Sequence, residues 1–234
     1  MSNNDDATRD DYNYITAHSG SIKIIENCQV MIALISTICS FSVCFILIYK
    51  RHVLLKNRPF VHIILMIAIT DTLTSMVYSF GFPKSDNLCF FQGFFGVFFS
   101  RASWLYTTAL VIQLTSIVIG RRFFISNKRL IIAVATLNII LQLLPFTTNT
   151  TYGGYLGTEV CFLDKGRGTY EQLRFWEEFC YFSVQIICFS IIFLLSVILV
   201  AKSYTPGLVP MLYQQIEDAW HTVILYPIGM AVAW

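Results

Sequence analysis

Long apolar stretches alternate along the chain with short polar, basic or acidic segments, and the lengths of those stretches predict the architecture. A hydrocarbon layer about 30 Å thick is crossed by roughly 20 helical residues rising 1.5 Å each. Stretches of that order lie at 30–49, 61–81, 90–119, 130–146 and 179–201, with a shorter sixth at 219–234 that reaches the last residue. Strands are excluded for these spans, because a membrane barrel alternates lipid-facing and lumen-facing residues whereas 191–200 is almost continuously apolar. The pattern predicts an all-α, polytopic membrane helix bundle of residues 30–234, preceded by a polar tail over residues 1–29. That tail has no apolar core of the kind a cleaved signal peptide needs, so the first span is expected to serve as an uncleaved signal anchor.

Charge sets the expected orientation, since Lys and Arg collect on the cytoplasmic side. Lys50, Arg51, Lys56 and Arg58 follow the first span, and Arg121, Arg122, Lys128 and Arg129 follow the third, so both loops are expected inside. The opposite side then carries the tail with Asp5, Asp6, Asp10 and Asp11 and a long loop holding five acids from Glu159 to Glu178, which puts the N-terminus outside. Asn149-Thr150-Thr151 is a glycosylation sequon beyond the fourth span, on that same outer side. Of seven cysteines, Cys89 and Cys161 are the two placed clearly in an oxidising compartment and outside the hydrocarbon, so they are expected to pair, the competing reading being two free thiols. Cys39, Cys44, Cys180 and Cys188 fall inside spans and read as small packing residues.

Composition narrows the function. With 56% hydrophobic and 13% charged residues and a mean hydropathy of +0.63, the chain has too much apolar surface for a soluble domain or a disordered one. A net charge of +2 supplies no basic excess for a nucleic acid. No metal-binding spacing, phosphate-cradling glycine loop or protease motif is present, and His18, His52, His62 and His221 are scattered, so neither an enzyme nor a cofactor or metal site is expected.

An outer tail, short basic inner loops and a cysteine pair joining the third span to the loop before the fifth make up a ground plan similar to that of seven-helix G-protein-coupled receptors. Around the third span the likeness becomes specific. Cys89-Phe90-Phe91-Gln92-Gly93, followed fifteen positions after Cys89 by Trp104-Leu105-Tyr106-Thr107, resembles the slime-mould cyclic AMP receptor family. Leu225-Tyr226-Pro227 through Trp234 is similar to the sixth helix of that family and to the Tyr-Pro pattern of fungal nutrient-sensing receptors. The resemblance covers 89–119, 160–162 and 225–234; elsewhere only the hydropathy profile agrees. It implies a plasma-membrane receptor that senses an extracellular small molecule and activates a heterotrimeric G protein. A seventh helix and tail are missing from that plan, so the chain reads as an incomplete receptor, with five full spans and part of a sixth. Gly120-Arg121-Arg122 has no acidic residue before the arginines, so the ionic lock of rhodopsin-like receptors is not expected.

Charges at membrane depth mark candidate functional positions. Asp71 and Arg101 each lie about ten residues, roughly 15 Å, below the outer ends of the second and third spans, so an ion pair between them is one reading. In the other readings Arg101 anchors an anionic or phosphate-bearing ligand through its planar fork, or faces a water-filled cavity or polar loop. Asp71, Thr74, Ser75 and Tyr78 share one helix face, and Arg101, Trp104, Thr108 and Thr115 share another, both too polar for lipid. The candidate ligand contacts are therefore Arg101, Asp71, Trp104, Tyr78 and Thr108, with Trp104 weighed towards packing. Asn138 and Gln142, one turn apart, are expected to bond between helices.

Tyr226-Pro227, with Trp234, is the candidate hinge by resemblance, against a static bend. Arg121, Arg122, Lys128 and Arg129 are candidate G-protein contacts, against the plain reading that they satisfy the orientation rule at lipid headgroups. A transporter or channel, or a non-signalling membrane scaffold, remains the alternative to a receptor, although no repeat relates the two halves.

Overall fold

The computed structural model describes residues 19–49, 61–81, 85–119, 126–156, 160–164 and 169–203. Helix α1 is Ser19–Tyr49, α2 Val61–Tyr78, α3 Asp86–Val118 and α4 Asn127–Leu143. A 3-10 turn, Leu144–Thr148, leads to an antiparallel hairpin of β1, Thr151–Leu156, and β2, Val160–Asp164. Then α5, Tyr170–Trp176, passes through a π-helical stretch, Glu177–Ser183, into α6, Val184–Ser203. Among the described residues five helical segments are long and apolar enough to cross a membrane, the fifth running from Glu171 to Leu199. The sixth apolar stretch, with Tyr226, Pro227 and Trp234, lies outside the described residues, as do Arg121 and Arg122.

Helix starts differ from the apolar boundaries for a physical reason. The hydropathy pattern marks where lipid begins, but a helix begins where a side chain caps its free N–H groups. Ser85 Oγ accepts from the Leu88 N–H and Ser126 Oγ from the Arg129 N–H, which starts α3 and α4 a few residues ahead of their apolar runs. Thr169 and Gln172 form a reciprocal capping box that starts the fifth helix at Tyr170 instead of 179. Pro145 ends α4, since its ring cannot continue the hydrogen-bond ladder and the chain tightens into the 3-10 turn.

Helix α3 is the centre of the bundle: 72% of its spanning window is buried, against 11% for α1. It packs on α2, α4, α6 and both strands. Ile63 and Ile67 of α2 meet Ala102, Tyr106, Ala109 and Leu110 of α3, with Val134 of α4 closing that cluster. Trp104 and Val111 of α3 pack with Cys188 and Ile192 of α6. Hydroxyls within the helices mostly return to their own backbone, as those of Thr70, Thr74, Thr115 and Ser116 do, while the Thr72 hydroxyl, bonded to the Ala68 carbonyl, also meets Cys44 Sγ of α1 at 3.8 Å.

The hairpin is a departure from the all-α expectation. Two strands alone are marginal in water, but this pair is pinned to α3 by the Cys89–Cys161 disulfide and covered by aromatic rings. Tyr152 stands edge-on to Phe94, ring centres 5.2 Å apart, beside Phe90 and Phe146. Gly93 makes the close approach possible, since a Cβ there would sit 2.6 Å from the Phe162 carbonyl oxygen and 3.3 Å from the Cys161 carbonyl carbon. Both are backbone atoms beside the disulfide and cannot swing away. Gly93→Ala is accordingly expected to cost about 1–3 kcal/mol, read as a lower unfolding temperature in detergent. Gly96→Ala should cost less, because its Cβ meets the Tyr78 hydroxyl, the far end of a side chain. An equal loss in both would contradict this account.

Candidate functional site

Among the described residues Arg101 is the largest fully buried side chain, 2% exposed, midway along the central helix. Its guanidinium makes four hydrogen bonds, all to neutral oxygens. Nε donates to Asn138 Oδ1 at 2.8 Å, Nη2 to Gln142 Oε1 at 2.5 Å and to the Asn138 carbonyl at 3.2 Å, and Nη1 to the Cys180 carbonyl at 3.0 Å. The two amides are held in turn by α3. Asn138 Nδ2 donates to the Phe98 carbonyl at 3.0 Å and Gln142 Nε2 to the Phe94 carbonyl at 2.7 Å. The expected interhelical role of Asn138 and Gln142 is thus observed, and the amide orientations are those that let each accept from arginine while donating to backbone.

Two contributors had no legible signal. Cys180 lies in the π-helical stretch, and its carbonyl, not its thiol, reaches Arg101. Such stretches widen a helix and free backbone groups from the usual ladder. Here Ser183 Oγ also donates to the Glu178 carbonyl at 2.6 Å. The second is Tyr152, on β1, whose hydroxyl donates to the Gln142 carbonyl at 3.0 Å. Burial pushes the Tyr152 phenol up from its ordinary value, with the nearby Arg101 charge working the other way, so the hydroxyl stays a donor. A continuous hydrogen-bonded path therefore runs from the hairpin through Gln142 and Arg101 to the fifth helix.

The Asp71–Arg101 ion pair, one of the readings the sequence left open, is not formed. Asp71 is buried at 7% exposure, accepts from the Ser103 hydroxyl, and has no partner at Oδ1. Equal depth does not bring the two side chains together, because azimuth separates them. Residues 101 and 103 are about 200° apart around a helix, so the side of α3 that meets Asp71 is turned away from the arginine. Asp71 meets Ser103 of α3, whereas Arg101 turns towards α4 and the π-helical stretch; Tyr78 lies against Gly96 of α3 and near Tyr181 of that stretch, which also neighbours Arg101. Ser75 turns to the other neighbour, donating to Ser36 of α1 at 2.9 Å.

Of the five ligand candidates, Asp71 is turned away from Arg101. Trp104 packs against α6, as its weighing towards packing anticipated, and its Nε1 has no hydrogen-bond partner. Thr108 donates to the Trp104 carbonyl at 2.8 Å. Asn149 is exposed, in a left-handed conformation at the end of the 3-10 turn. Lys128 and Arg129 are exposed in the first turn of α4, at the end of the bundle opposite the hairpin. Among the described residues no group of three or more His, Cys, Asp or Glu converges. What the hub can do is hold three helices and a hairpin in register around one positive charge.

No protein-family model matches the chain, and no curated protein matches it. The class that fold and site define is a multi-helix membrane bundle with a disulfide-tethered hairpin over one end of its central helix.

Proposed function

We infer that the protein is a plasma-membrane receptor, N-terminus outside, that senses an extracellular small molecule and signals to a heterotrimeric G protein. One observation carries the reading: the hydrogen-bonded path from Tyr152 through Gln142 and Arg101 to the Cys180 carbonyl. It links a disulfide-pinned hairpin on one face to a helix that ends at Ser203 on the other. A ligand that shifts the hairpin displaces Tyr152, and the strain passes to the π-helical stretch. In this reading Arg101 organises the site from beneath and does not itself clasp the ligand, because four of its bonds are already made inside the protein. Lys128 and Arg129, with Arg121 and Arg122, face the cytoplasm and the G protein.

The test is G-protein activation in cells expressing the chain, alone and extended by a seventh span, challenged with cyclic nucleotides, sugars and amino acids. A response that Tyr152→Phe weakens at unchanged surface level is the expected result. Silence from both forms despite surface delivery, or uptake of a labelled solute instead, would overturn it. Orientation is checked on the same cells: Asn149→Gln should remove a glycan-dependent mobility step, and an unchanged band would count against an outward hairpin.

A further inference from the structure

The sequon Asn149-Thr150-Thr151 sits at the seam between the 3-10 turn and the hairpin, and the fold holds its three residues in three different ways. Asn149 is exposed, but its backbone is left-handed, φ 60° and ψ 13°. Thr150 is fully buried. The Thr148 hydroxyl donates to the Pro145 carbonyl at 3.2 Å and accepts from Trp176 Nε1 at 2.6 Å, so in its 3.2 Å contact with Thr150 the Thr150 hydroxyl is the donor. Thr151 is already the first residue of β1, opposite Asp164 in the register.

Attaching a glycan needs a different arrangement. The Asn149 side-chain nitrogen bonds to the anomeric carbon of a lipid-diphosphate-linked oligosaccharide, the C–O bond to the diphosphate breaks, and an amide proton leaves. The transferring enzyme must grip the Asn149 amide and the Thr151 hydroxyl together, which is why the sequon has that spacing. A tripeptide with one residue left-handed, one buried and one zipped into a strand cannot enter such a cleft. Reach points the same way: from Leu143 to Asn149 the 3-10 turn carries the chain about 12 Å, whereas the same stretch extended reaches about 20 Å from the membrane end of α4.

We propose that Asn149 is glycosylated only while the hairpin is open, and that formation of the Cys89–Cys161 bond ends that period. Two strands alone are marginal in water, so β1 and β2 are not held until the disulfide fixes them on α3, even though a hairpin can form in microseconds. At about 5–20 residues per second, Cys161 is synthesised about 1–2 s after Asn149. Disulfide formation then takes seconds or longer. Transfer and oxidation compete over the same interval, and the occupancy of Asn149 records the outcome. The attached glycan does not obstruct folding, since Asn149 stays exposed. The proposal rests on the outward placement of the hairpin and not on any receptor activity.

Pulse-labelling of the full chain in cells tests it, with and without a permeant thiol reductant during the pulse and with glycosidase treatment to measure the glycosylated fraction. A control chain with Asn149→Gln and Ile15→Thr, the latter completing a sequon at Asn13 in the polar tail, corrects for any effect of reductant on transfer itself. The expected result is partial occupancy of Asn149 under oxidising conditions, raised at least twofold over the control by reductant or by Cys89→Ala with Cys161→Ala. Alanine is used because serine at position 89 would complete a sequon at Asn87. Trp176→Phe, which keeps a ring and removes the donor to Thr148, should raise occupancy by less. Chains left unmodified at the end of the pulse should stay so through an oxidising chase. Occupancy that reductant and the alanine pair leave unchanged, or modification during the chase, would overturn the proposal. So would a glycan on the control tail with none on Asn149 under any condition. A glycan at neither position would overturn the outward orientation, and the proposal with it.

Discussion

Arg101→Met is expected to destabilise the bundle by about 2–4 kcal/mol and to lower surface delivery sharply, although methionine fills much of the same volume. The reason is what stays behind. Asn138 Oδ1, Gln142 Oε1 and the Cys180 carbonyl each lose a donor inside the protein, and a buried acceptor left unpaired costs about 1–3 kcal/mol. The sum is kept below three full penalties because interhelical bonds in membranes average under about 1 kcal/mol where partners can re-pair. Arg101→Lys should rescue little, since an ammonium cannot span Asn138, Gln142 and Cys180 at once. Asp71→Asn should leave delivery near normal, as the amide oxygen can still accept from Ser103 and nothing in the arginine network changes. Surface labelling of the three variants decides the matter: equal loss in Asp71→Asn and Arg101→Met would restore the ion pair that the geometry rejects.

Removing the disulfide, by Cys89→Ser with Cys161→Ser, is expected to be the second large effect. The bond closes a loop across a sequence separation of 72. In a fully disordered reference chain closing such a loop is worth about 4 kcal/mol. A membrane-inserted chain keeps its helices when tertiary contacts are lost, so the expected cost is about 2–3 kcal/mol, less than the chain-entropy figure. The loss should concentrate in the hairpin, whose two strands depend on α3 for support. Protease cleavage within 150–164 on intact cells should rise at least tenfold while the helices stay protected. Unchanged cleavage would mean that the aromatic contacts of Tyr152 and the packing of Phe162 hold the hairpin unaided.

Both effects arise where hydropathy is a poor guide. Five of the spans and the Cys89–Cys161 pair were legible, because lipid thickness and redox compartment act on residue type and position along the chain. The roles of Asn138 and Gln142 were legible too, since uncharged amides one turn apart in an apolar helix have few other uses. The hairpin was not, because Tyr152-Gly153-Gly154 carries no strand alternation and the strands exist only as packed on Gly93 and Phe90. The π-helical stretch was equally silent, for it depends on which carbonyl an arginine 79 residues earlier can reach.

What the sequence determined by itself was five stretches long and apolar enough to cross a membrane, the pairing of Cys89 with Cys161 and the similar depth of Asp71 and Arg101. These follow from one-dimensional quantities: stretch length, residue type and rise per residue. Only the tertiary structure decided who touches whom at a given depth. Rotation of each helix about its axis separates Asp71 from Arg101 by nearly half a turn of α3, assigns the arginine to neutral amides and a backbone carbonyl, and brings a strand tyrosine over them. That rotation is set by the packing of all neighbouring faces together, and no single segment encodes it.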